Sequence, residues 1–73
     1  MPANTLEDIT AGPDGNLWIT EFAPSRVARV TPNGMVTESQ FVEGSLPTGI
    51  SPGPRGTIWF LGFATNKVYR LIP

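Results

Sequence analysis

The chain has 73 residues, 40% apolar and 15% charged, with eight Gly, eight Pro, no Cys and no His. That is too much apolar surface for a disordered tail and too many turn formers for long helices, and it excludes disulfide, thiolate and imidazole chemistry. Five basic and six acidic residues leave a net charge of −1, which excludes an electrostatic footprint for nucleic acid or for an anionic membrane. No apolar run approaches the roughly 20 residues of a bilayer span. Met1–Thr5 has neither the basic nor the apolar region of a signal peptide, so the default expectation is a cytoplasmic protein.

In chain order, Asp8–Ala11 is a short first strand that ends at Gly12-Pro13. Gly12–Asn16 is a turn, because Pro fixes φ and Gly15 and Asn16 tolerate positive φ. Leu17–Glu21 is a second strand of β-favouring residues, and Phe22–Ser25 connects it to a third over Arg26–Thr31. Pro32-Asn33-Gly34 carries the Asn-Gly signal of a primed hairpin turn. Met35–Val42 is a fourth strand, and Glu43–Pro47 crosses to the next unit. Further strands follow near Gly49–Pro52, Thr57–Gly62 and Lys67–Ile72.

The pattern is a repeat. At an offset of 41, Ile9–Pro32 lies over Ile50–Pro73 without a gap, with ten identities in 24 pairs. They include Gly12/Gly53, Pro13/Pro54, Trp18/Trp59, Phe22/Phe63, Val27/Val68 and Arg29/Arg70. Helical repeats of this period exist, but a mid-unit Gly-Pro-x-Gly and abundant β-branched residues oppose helix. Four short antiparallel strands per unit, as in a β-propeller blade, fit better. The expected architecture is all-β, a single two-blade unit over 1–73, with blade one at about 6–43 and blade two at about 47–73. Seven of eight strands are expected, the last outer strand being absent. Met1–Leu6 is too short and wrongly placed to supply it.

Ile9–Glu21, Arg26–Gly34 and Val36–Glu38 together resemble a blade of the virginiamycin B lyase (streptogramin lyase) family. Pro47–Ile50, Ile58–Phe60 and Asn66–Arg70 fit the same pattern. The resemblance implies a propeller, typically of seven blades, and a C–O lyase that opens cyclic depsipeptide antibiotics by elimination. It also implies histidines, Glu and Mg²⁺ in the central channel. The family's Pro-His-x-Ile histidine falls here on Thr48 in the second unit and Glu7 in the first, and neither replaces an imidazole. The family's Glu after Trp-Phe-Thr falls on Glu21 and on Gly62. The expectation is therefore a chain without catalysis or a metal of its own, Mg²⁺ being implied only if lyase activity were retained.

Two axis-facing residues, Glu21 and Thr48, are the candidates for a small-ligand site. Trp18 and Trp59 read as packing between neighbouring blades rather than as stacking platforms, because they recur in register. Arg29 and Arg70 read as repeated structural bonds to backbone or to a neighbouring carboxylate. Phe22 and Phe63 read as core or interface.

Two blades form a wedge with two flat faces, and a small chain that leaves both exposed has little stability to spare. Head-to-tail self-association covers them, and a ring forms where the rotation closes. The expected partner is the chain itself, as a homotrimer of six blades. The alternatives are a retained lyase activity, or a part of a larger propeller that needs its remaining blades.

Overall fold

The computed structural model describes residues 5–23, 25–41 and 44–73. They form two antiparallel up-and-down sheets. Blade one has the order β1 (Thr5–Ala11), β2 (Leu17–Ala23), β3 (Arg26–Val30) and β4 (Val36–Phe41). Blade two has β5 (Pro47–Gly53), β6 (Thr57–Gly62) and β7 (Lys67–Leu71). The seven expected strands are all present. β1 is longer than expected at its start, and β5 at both ends. Thr5 and Leu6 extend β1 by pairing with Ala23 and Glu21 of β2. Met1–Asn4, Pro24, Val42 and Glu43, which the sequence reading placed in an N-terminal segment, a connector, a strand end and a crossing loop, lie outside the described residues.

The hairpin turns correct one expectation. In the β3–β4 turn, the Gly34 amide donates to the Thr31 carbonyl and the Thr31 amide to the Met35 carbonyl, each at 2.9 Å. Gly34 alone takes positive φ, at 91°, and Asn33 does not. This is a type I turn closed by a left-handed glycine, not a two-residue primed turn. Pro32 is the physical reason: it has no N–H to donate, so the closing pair moves out to Thr31 and Met35. The β1–β2 turn repeats the arrangement, with Gly15 at φ 84° and the Gly12 amide donating to the Asn16 carbonyl at 2.8 Å. Asn16 likewise stays out of the left-handed region. In blade two the same loop becomes a short 3-10 turn over Pro54–Gly56, with Arg55 at φ 58°.

The core lies between the sheets. Successive residues of a strand face opposite ways. Trp18, Thr20 and Val27 of blade one point toward blade two, and Ile50, Ile58 and Phe60 of blade two point back. Tyr69 and Leu71 close this layer, with Phe60 stacked on Tyr69 at 5.2 Å between ring centroids. Inner strands β1 and β5 pack together, so the two blades meet along their first strands.

Candidate functional site

The repeated Trp is seated on a repeated Gly. Gly12 directly follows β1, and the Cδ1–Nε1 edge of the Trp18 indole packs against it. A Cβ at Gly12 would stand 2.4 Å from the Trp18 ring, and one at Gly53 would stand 2.1 Å from the Trp59 ring. The turn chemistry of Gly-Pro-x-Gly is therefore only half of its role. Each indole N–H also needs an acceptor. Trp18 Nε1 donates to Asp14 Oδ1 at 3.0 Å. Blade two has Arg55 at the position of Asp14, and Trp59 Nε1 turns to Thr57 Oγ at 2.8 Å. The slight burial of Asp14 opposes its charge. Hydrogen bonds from Trp18, from the Asn16 side chain and amide, and from its own backbone together outweigh this and hold its pKa below the ordinary value.

The joint between blades is also fastened by polar groups. The Asp8 carboxylate accepts the Ile50 amide at 3.1 Å through one oxygen and the Ile9 amide at 2.9 Å through the other. The Thr20 hydroxyl accepts the Asp8 amide at 3.1 Å and donates to the Thr48 carbonyl at 2.7 Å. The entry to blade two is held as well, because the Leu46 amide donates to Ser25 Oγ at 2.9 Å. Asp8 and Thr20 correspond by the repeat to Gly49 and Leu61, so this clip exists once.

Glu21 and Thr48 stand on different strands, β2 and β5. Glu21 stands on β2, the second strand, and is fully buried. It lies on the far face of blade one from the joint, paired across the ladder with Arg26. Glu38 of β4 joins it there. Burial pushes the Glu38 carboxyl above its ordinary value of 4.5, and a hydrogen bond and the charge of Glu21 push the same way against the attraction of Arg26. Thr48 is half-buried on β5 and serves the clip through its carbonyl. It also borders a shallow cleft near Gly62, Phe63 and Lys67.

The other expected residues divide by blade. Trp18 is buried in the joint, whereas Trp59, half-buried, belongs to the open face of blade two. Arg29 is half-buried, and its Nε has no hydrogen-bond partner among the described residues. Arg70 is exposed beside Trp59 in a cleft of 490 Å³ that Arg55 also lines. Phe22 and Phe63 pack on each other at 6.3 Å between centroids, but Phe63 is 71% exposed and so is not a core residue. Asp8, Thr20 and Glu38 were not singled out in the sequence. The available signal was that the first two break an otherwise well-kept repeat.

Among the described residues, no three His, Cys, Asp or Glu side chains converge as metal ligands. Mg²⁺ takes an octahedral shell of oxygen donors, and a fully buried Glu21 beside a protonation-prone Glu38 does not fit it. No helix among the described residues is long and apolar enough to cross a membrane.

Two repeated antiparallel sheets joined along their inner strands, each with a Gly-seated Trp, define a pair of propeller-type blades. The crystal structure of a catalytically inactive His-to-Ala variant of virginiamycin B lyase from Staphylococcus aureus, solved with quinupristin, superposes with a TM-score of 0.89 at 32% identity. That match covers 97% of this chain and 25% of the other. Selenomethionine-substituted virginiamycin B lyase from Staphylococcus aureus matches at 34% identity and a TM-score of 0.86, over 92% of this chain and 23% of that one. A streptogramin B lyase structure shares the fold at 24% identity, with a TM-score of 0.76, over 100% of this chain and 28% of its own. No curated protein matches. The virginiamycin B lyase family matches residues 1–73, and the chain belongs to that family. It spans about a quarter of the length of these solved relatives.

Proposed function

We propose that the chain is a non-catalytic blade pair that builds a propeller by packing head to tail against copies of itself, three copies closing a ring of six blades. The supporting observation is that each open face is the repeat counterpart of a face already buried at the internal joint. Ile9 is 54% exposed, and its counterpart Ile50 is 8% exposed. Leu17 is exposed where Ile58 is fully buried. On the opposite side, Val68 is 61% exposed and its counterpart Val27 is fully buried. A second copy offers each open face the kind of surface that already fits it, and the contact is heterologous, so it closes where the rotation allows. The ring axis, bordered by β1 and β5, is where a small ligand would sit.

The lyase chemistry of the relatives needs a group that takes a proton near neutral pH. This chain has no His, and Glu21 has no exposed surface. The span of about a quarter of the relatives' length favours a second reading, in which these blades are completed by other blades of a larger propeller.

Native mass spectrometry of the purified chain at low micromolar concentration tests both readings. A species of three chains supports the six-bladed ring. Two or four chains keep the ring and change its blade count. A folded monomer overturns self-assembly, and an aggregated or unfolded chain favours the larger propeller. Incubation with a streptogramin B antibiotic, with and without Mg²⁺, should leave the antibiotic intact. Ring-opened product would overturn the non-catalytic reading.

A further inference from the structure

Blade two carries a cavity of 360 Å³ along its inner strand, lined by Asp8, Gly49, Ile50, Ser51, Trp59 and Leu61. Ser51 pairs with Trp59 across the ladder. Gly49 and Leu61 stand two residues away on their strands and so share the same face, the open one. By the repeat these four residues correspond to Asp8, Thr10, Trp18 and Thr20. On blade one that patch is already filled. Ile50 comes to it from β5, buried in one cluster with Trp18, and its amide donates to Asp8 at 3.1 Å. The chain thus shows what such a patch accepts: an isoleucine from the inner strand of the next blade. The counterpart of Ile50 is Ile9, which is 54% exposed on the other side of the molecule.

The filled patch and the open one differ in their chemistry. Asp8 and Thr20 give the filled patch its polar clip, whereas Gly49 and Leu61 make the open one apolar. Leu61 is half exposed there. A Cβ at Gly49 would lie 3.6 Å from Leu61 Cδ1, an ordinary contact, so the chain itself does not require a glycine at this place. What the glycine leaves is room.

We infer that this cavity is the seat for Ile9 of a second copy of the chain. The inference rests on the self-assembly reading above and names the residue that enters and the residues that receive it. Knob and seat lie on opposite faces, so two seats cannot fill each other and the contact runs head to tail. Burial of Ile9 against Trp59 and Leu61 takes the place of the Asp8–Thr20 clip as the source of adhesion.

The chain has no Cys, so single introduced thiols report the contact. Ile9→Cys and Gly49→Cys chains are prepared separately, mixed at micromolar concentration and oxidised, and intact mass identifies the products. A disulfide needs Cα atoms within roughly 4.4–6.8 Å, so the bond between unlike chains should exceed either like pair by about tenfold. In sedimentation equilibrium, Ile9→Asp should weaken association by about a hundredfold, because it puts a charge into an apolar seat. Met35→Asp, on the exposed β3–β4 turn, should leave association unchanged. Far-UV circular dichroism checks that each variant keeps its strands. Equal yields of like and unlike pairs, or an Ile9→Asp chain that associates as well as its parent, would overturn this inference and leave self-assembly standing. A parent chain that stays a folded monomer would overturn the self-assembly reading and this one with it.

Discussion

Trp18 and Trp59 stand at the same place in the repeat, on the same glycine, and live in different surroundings. Trp18 is buried against Val27, Ile50, Ile58 and Phe60. Trp59 has no blade on its outer side and is only half-buried. The local motif is thus complete within each blade: strand, turn, glycine seat and indole acceptor all form without a neighbour. What a neighbour adds is desolvation. The comparison separates the energy of building a blade from the energy of covering it.

Truncating the two indoles breaks that comparison most directly. Trp18→Ala should cost about 3–5 kcal/mol by emptying the core, a large share of the about 5–15 kcal/mol that holds a typical domain. Trp59→Ala should cost about 1–2 kcal/mol less than half as deep a burial allows. Urea denaturation followed by circular dichroism measures both.

The glycine seats sharpen it. Gly53→Ala creates the shorter clash, at 2.1 Å against 2.4 Å for Gly12→Ala. Gly12→Ala should nevertheless be the more damaging, at about 3 kcal/mol against about 1 kcal/mol, because a confined ring cannot move away and an open one can. The same denaturation experiment ranks them, and the reverse order would show that Trp59 is as confined as Trp18.

Thr20→Val keeps the shape of the clip and removes its hydroxyl. The Thr48 carbonyl and the Asp8 amide then lose a partner at the joint, for about 1–2 kcal/mol. Leu61→Thr, at the equivalent place on the open face, should change the stability of a single chain by less than about 0.5 kcal/mol.

The smallest effect concerns pH. The folded pKa of Glu38 lies above its unfolded value of 4.5, so the folded chain binds the proton more tightly. The stability this group contributes is fully present below that value and is lost as pH rises through the folded pKa. Glu38→Gln should therefore stabilise the chain at neutral pH and flatten this part of its pH dependence. Thermal unfolding at intervals from about pH 4 to pH 8 reads the slope.

The repeat made most of this architecture legible. Two Gly-Pro-x-Gly turns place four strand ends and two Trp in register mark the strands between blades, because each of these residues restricts the backbone or demands burial on its own. The β3–β4 turn was misjudged at Asn33-Gly34, because the missing N–H of Pro32 counts for more than the Asn-Gly pair beside it. The second duty of Gly12 and Gly53 was hidden, since close approach of a ring is a matter of three dimensions. Phe63 matched Phe22 in the repeat but not in environment: a repeat predicts position within a blade, while exposure depends on whether a neighbour is there. The candidate site was less legible still. Glu21 was identified by resemblance and is buried on the second strand. Asp8 and Thr20, which fasten the blades, do not repeat, so a search for recurrence passes over them.

The Thr20–Thr48 hydrogen bond has a geometric meaning beyond its energy. It ties β2 of one blade to the inner strand of the next, close to where any closed ring of such blades would have its axis. A short tie there acts as a hinge pin placed at the narrow end of a wedge. A small change in its length would be magnified at the outer rim into a change of angle between sheets, and the sum of those angles is fixed by closure. In a ring of such chains the curvature would thus be held by a hydroxyl at the joint inside each chain, where Thr20 stands, and not at the joint between copies, where its counterpart is Leu61; a substitution at residue 20 or 61 would be a way for blade number to change without altering any blade.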